Sequence, residues 1–256
     1  MQKDFHYATV YVLCRLAGMK SKYAKKVAYS SQQVDDAVYD HALKFENGDV
    51  FHQTKTAHKE TSVISSANVN KSFNIWLPFH FLPSGKEKNS LENFVTKPES
   101  STINFLKKEV IDAGDKEYAL HWLGIFLHLY ADSYSHQQFK GFYDQYNFSE
   151  LLDGVQRLSF KDKIIKFLTK YIPVLFPVGH ALVIKNPDIP YANWKYENNG
   201  KEIEINNLEQ RFMPAAKNIF KYIRNYLSEN NKFGIAVKEE TLDFKFDKIM
   251  VSPQKG

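Results

Sequence analysis

Four polar side chains, His121, His128, Asp132 and His136, punctuate the otherwise apolar stretch HWLGIFLHLYADSYSHQQF. Imidazole and carboxylate are donors that zinc and manganese accept. On a helix turning 100° per residue the four fall within about 80° of one another, as a single polar row. His128 and His136 then stand about 12 Å apart along the axis, too far for one ion. Asp132 lies one turn from each. The spacing therefore predicts two ions, with Asp132 able to serve either. Paired ions about 3.5–4 Å apart are a device of phosphoester hydrolysis. His121 sits further along the row and reads as a packing residue. Without ions, the trio His128, Asp132 and His136 has to be a hydrogen-bonded core cluster, because a buried unpaired carboxylate costs several kcal/mol or gives up its charge.

Further donors stand in apolar settings elsewhere in the chain. His6 opens the first apolar segment, and Asp35 points inward from the second. His80 lies in LPFHFLP, His180 in PVGHA, and Asp188 follows in NPDIPY. Each alone reads as structural, since core histidines donate to carbonyls and aspartates cap turns. Their company with the trio is what points to a metal site. His58, in TKTAHKE, is a reserve ligand, whereas His41 and His52 have polar surroundings and read as surface residues.

Helical elements must position these groups. Val10, Leu13, Cys14 and Ala17 recur at helical spacing, and Gly18 ends that helix, which runs from about Phe5. Ser21 caps a second helix, read as extending to about Ala42, with Asp35 in the middle of its apolar stripe. Ser100–Ala113 and Lys161–Tyr171 read as helices, Asp115–Phe139 as the buried central one, and Asn207–Leu227 as the last. The predicted fold class is all-α, one multi-helix domain over residues 1–256 with long packed loops. A short β element is expected near residues 45–60 or in the tail, 232–256, where LDFKF alternates.

The net charge of +5 is spread among acids, with no basic block of the kind a nucleic-acid arm shows. Cys14 has no possible intramolecular disulfide partner. No stretch has the roughly 18 consecutive apolar residues of a membrane span. His6 and Arg15 interrupt the first apolar run, so the expected location is the cytoplasm. HExxH, P-loop, GxGxxG and GxSxG motifs are absent from the sequence.

The order of the candidate ligands resembles that of the zinc-dependent phospholipase C and single-strand-specific nuclease superfamily, with LHLYADSYSH similar to its central-helix pattern. That resemblance implies an all-α protein holding two or three zinc ions through His6, Asp35, His58 or His80, His128, Asp132, His136, His180 and Asp188. Superfamily members also use a free N-terminal Trp as a ligand. Here Met1 stands in that place, and Asp4 is the nearest stand-in. MQKDFHYATVYVLCRLAG, AYSSQQVDDA, LPFHFLP and PVGHA…PDIPYANWKY more closely resemble a bacterial family of unknown function over about residues 1–200. The expected function is a metal-dependent phosphoester hydrolase with an activated water as nucleophile. Its cofactor is Zn2+, with Mn2+ or Fe2+ as alternatives. Asp35 serves as ligand and water-orienting group, and the substrate is a small-molecule, lipid or nucleotide phosphoester. Two other readings fit the same residues: a metal-stabilised helical protein without activity, and a metal-free helical binding module.

Overall fold

The computed structural model describes residues 1–57, 72–85, 91–142, 144–155, 179–183 and 185–238. The helix expected over Lys161–Tyr171, the reserve ligand His58 and the LDFKF tail lie outside them. A π-helical segment, Asp4–Thr9, runs into α1, Val10–Leu16. Gly18, at φ 105°, ends it and turns the chain into α2, Ser21–Asp36. Later come α3, Ser101–Asp112, capped by the Ser100 hydroxyl, and α4, Ala119–Ser135. A second π-helical segment, Leu208–Phe212, leads into α5, Met213–Glu229.

α4 is the central rod. Leu120, Leu123, Phe126, Leu127, Tyr130 and Ala131 bury it on several sides, as its near-continuous apolar sequence requires. α2, α3, α5 and the segment Asp4–Thr9 all pack on it, α2 most extensively. Gly124 permits the approach of α2, because a Cβ there would overlap the Val27 carbonyl oxygen and the Ser30 Cβ. Gly124→Ala is therefore expected to cost about 1–3 kcal/mol, the range for overpacking a tight core, and to push α2 away from α4. Urea denaturation beside the parent measures it, and an unchanged midpoint counts against this packing.

The fold is mixed α/β, which corrects the all-α expectation. One antiparallel hairpin joins β1, Ala42–Lys44, to β2, Val50–His52. A three-stranded antiparallel sheet has the order β3, β4, β5: Ser149–Asp153, Asn193–Asn198 and Lys201–Asn206. The reason is local. β4 and β5 turn over Asn199 and Gly200, both at positive φ (52° and 73°), which suits the tight turn that Asn-Gly favours. Trp194 pairs with Ile205 and Tyr196 with Ile203, an alternation with period two. Trp194 and Tyr196 form a second apolar cluster with Phe81, Phe139, Val183, Ile189 and Ala192. That cluster underlies the loop carrying His180 and Asp188.

The ends of two helices that carry donors also differ from expectation. α2 ends at Asp36 rather than near Ala42, because the Ala37 carbonyl accepts the amides of Thr56 and Ala57 from another segment. α4 ends at Ser135, so His136 is its C-cap rather than an interior helical residue. Among the described residues no helix is long and apolar enough to cross a membrane.

Candidate metal centre

Six short pieces of chain deliver the donors. His6 comes from the first π-helical turn, and Asp35 from the last turn of α2. His80 follows the helical turn Leu77–Phe79, its amide bonded to the Trp76 carbonyl at 2.9 Å. α4 supplies His128 and Asp132 from its side and His136 from its end. Gly179, at φ 56°, lets the chain pass the Phe81 ring just before His180. Asp188 ends a 3-10 turn, Asn186–Asp188, fixed by the buried Asn207, whose amide donates to the Asn186 and Ile189 carbonyls.

These donors converge in three groups, each with its ligand atoms within 4.8 Å of one another: His6, Asp35 and His128; His80, His128 and Asp132; His136, His180 and Asp188. The first two share His128 and form one half of the centre. The third forms the other half, and Asp132 faces both. Its Oδ2 lies 3.1 Å from His80 Nδ1, 3.3 Å from His128 Nε2 and 3.7 Å from His136 Nδ1. Its Oδ1 lies 3.1 Å from His6 Nε2. In the other half, Asp188 Oδ1 is 3.2 Å from His136 Nε2 and Oδ2 is 3.4 Å from His180 Nε2. The His6 ring stacks on His128 at 3.9 Å, and neither His6 nitrogen has a hydrogen bond of good geometry.

In two imidazoles a carbonyl fixes the place of one ring proton. His80 Nε2 is 2.9 Å from the Thr56 carbonyl, so it carries a proton and donates there. His136 Nδ1 likewise donates to the His80 carbonyl at 2.8 Å. In the neutral ring the other nitrogen is then a lone pair. His80 Nδ1 and His136 Nε2 face the Asp132 and Asp188 carboxylates. Burial lowers the His80 pKa, but its hydrogen bond to Asp132 raises it above the ordinary value, so a second ring proton or a metal ion can satisfy such a contact.

One cation is supplied by the chain. The Met1 ammonium donates to Asp132 Oδ1 at 2.6 Å and to the Ser135 hydroxyl at 3.1 Å, and lies 3.1 Å from Asp188. Burial alone would lower its pKa, but Asp132 and Asp188 push it up from 8.0 to about 11. Burial would raise the Asp132 carboxyl, yet the Met1 ammonium, with His136, His128 and His6, holds it well below the carboxylate range. Asp188 is held low in the same way by the Met1 ammonium and His180, against its burial. Burial takes His6 down to about 4, with His128 adding to the effect.

Residues 1–255 match a family described as a family of unknown function, DUF6765. The chain belongs to DUF6765. No curated protein and no solved structure matches it. In this DUF6765 chain eight residues anticipated from sequence, His6, Asp35, His80, His128, Asp132, His136, His180 and Asp188, meet in one centre. His121 stands apart, its Nδ1 2.8 Å from the Ser30 hydroxyl. Asp4 is exposed and accepts the Phe5 amide, so the Met1 amine rather than Asp4 reaches the DUF6765 centre.

Sequence reasoning missed four contributors: the Met1 amine, Ser135, the Thr56 carbonyl and Arg211. The Arg211 guanidinium is fully buried over the Trp194 ring and donates to the Ser135 carbonyl, tying off the end of α4. Burial lowers its pKa to about 10. Backbone groups leave no sequence signal, and a lone arginine in EQRFMP leaves little more.

Proposed function

We propose that this protein is a metal-dependent hydrolase of phosphoester bonds, built around two divalent ions of the zinc type. The observation that carries the reading is the pair of anchored imidazoles. His80 and His136 spend their outer N–H groups on carbonyls and aim their remaining nitrogens at the carboxylates of the buried Asp132 and the partly buried Asp188. Metal-ligating histidines are oriented in this way by their surroundings. The donor set of nitrogen and carboxylate oxygen fits zinc or manganese. His6, Asp35, His80 and His128 would hold one ion. His136, His180, Asp188 and the deprotonated Met1 amine would hold the other, with Asp132 between them.

Bound there, the ions would supply Lewis acidity toward a phosphoryl oxygen and acidify an attacking water. The chain's own residues do the rest. Asp35, whose side chain is 32% exposed, stands at the accessible edge, where it can accept a water proton and orient that water. His6, His128 and Asp132 form the closed floor. The order of donors is similar to that of the zinc phospholipase C and nuclease superfamily, which supports a phosphoester as the bond attacked.

The test combines metal analysis with turnover of bis(p-nitrophenyl) phosphate. Protein purified without chelator is expected to hold about two ions, the number paired-metal phosphoesterases use. It should hydrolyse the diester and lose both activity and thermal stability to chelator. Less than one equivalent of metal, with no activity gained from added zinc or manganese, overturns the assignment. The near-complete burial of His6, His128 and Asp132 favours a second reading, a metal-stabilised protein without turnover. It predicts the same metal content and no hydrolysis.

A further inference from the structure

We propose that the His80–Phe81 dipeptide couples the two halves of the centre, so that an ion in one half raises the affinity of the other. The inference rests on the metal reading above and adds a regulatory property to it. The His80 ring belongs to the first half, with Nδ1 3.1 Å from Asp132 Oδ2 and 3.4 Å from His128 Nε2. Its backbone belongs to the second, since the His80 carbonyl accepts the Nδ1 proton of His136 at 2.8 Å. The next residue continues the link. The Phe81 ring lies flat on the His136 ring, with centroids 4.4 Å apart and planes 17° from parallel. On its other contact it meets Gly179, where a Cβ would overlap it, immediately before His180.

This dipeptide behaves as one rigid piece. The amides of His80 and Phe81 both donate to the Trp76 carbonyl, at 2.9 and 2.8 Å. The far side of the His80 ring is held by Thr56, whose hydroxyl is bonded in turn to the Val34 carbonyl of α2, one residue before Asp35. An ion that fixes the His80 ring therefore also fixes the carbonyl and the aromatic face on which His136 is seated. Reciprocity requires that an ion held by His136 stabilise the His80 position by the same factor. Direct repulsion between two neighbouring cations works the other way, whereas Asp132, which faces both halves, is a second candidate link, so the Phe81→Leu comparison, which leaves Asp132 in place, identifies the dipeptide route.

The experiment titrates metal-free protein with Co2+, followed by absorption, and with Zn2+, followed by calorimetry. The parent is expected to take up two ions in a single step steeper than independent binding. Phe81→Leu leaves every donor atom in place. It is expected to bind two ions in two resolved steps, with the His136 half weakened about 10–100-fold, the usual effect of losing a supporting group. Melting of the metal-free variant checks its fold. The parent curve tests the coupling, and the variant tests its route. Two ions entering independently overturn the coupling and leave the hydrolase reading standing, as does a Phe81→Leu curve identical to the parent's. A parent that binds no ion overturns both.

Discussion

Asp132→Asn is expected to empty both halves of the centre at once. One carboxylate oxygen of Asp132 faces His80, His128 and His136, and the other faces His6 and the Met1 ammonium. The amide keeps the shape and removes the charge. Metal content should fall from about two equivalents, the paired-ion complement, to less than one, with hydrolysis at background. The metal-free protein should suffer too, because the substitution removes the nearer of the two carboxylates beside the buried ammonium. Breaking a buried pair costs about 3–5 kcal/mol, or roughly 6–20 °C of melting temperature in a chain of this size. Asp35→Asn, at the accessible edge, is the control: it should weaken metal binding and leave metal-free melting within about 0.5 kcal/mol. Full metal content in Asp132→Asn would falsify the shared role.

The second large effect concerns the Met1 amine. Acylating it, or joining further residues to it, turns a buried cation into a neutral amide and leaves Asp132 and Asp188 facing each other without it. Its pKa is raised from 8.0 to about 11. It therefore stabilises the folded state fully below about pH 8 and loses that contribution as pH rises through about 11, a change of about 4 kcal/mol. Chemical denaturation of metal-free protein from about pH 7 to about pH 11 should show this alkaline limb. Protein blocked at Met1 should be weaker at neutral pH and nearly flat over the same window. It should also bind the second ion more weakly. Superimposable pH curves for free and blocked protein would remove the amine from the centre.

Much of the centre could be read from residue types and spacing, because the physics is one-dimensional there. An oil-coated helix that carries His128, Asp132 and His136 one turn apart announces a polar row inside the protein. His80, His180 and Asp188 stood out because apolar residues and prolines or glycines surround them. The boundaries were illegible for the opposite reason. Val34 and Val38 continue a helical pattern, and no glycine or proline stops α2. What ends it is the bonding of the Ala37 carbonyl to the amides of Thr56 and Ala57, distant in sequence. The sheet was legible in principle: an Asn-Gly pair joins WKYEN to KEIEI, each alternating. Read from sequence alone, residues 193–206 fall in no assigned element, and the all-α expectation follows from that omission.

The order in which the donors appear along the chain has a consequence for biosynthesis. Among the donors Asp188, whose carboxylate lies 3.1 Å from the Met1 nitrogen in the folded protein, is made last, after α4. At about 5–20 residues per second the interval from Asp132 to Asp188 is roughly 3–11 s. Throughout it α4 carries a carboxylate whose partners are incomplete, so the nascent chain has a polar gap where the finished protein has its most interconnected point. The half of the centre that Asp188 completes can therefore be assembled only after translation has passed it, and Arg211, which ties off the end of α4, follows later still.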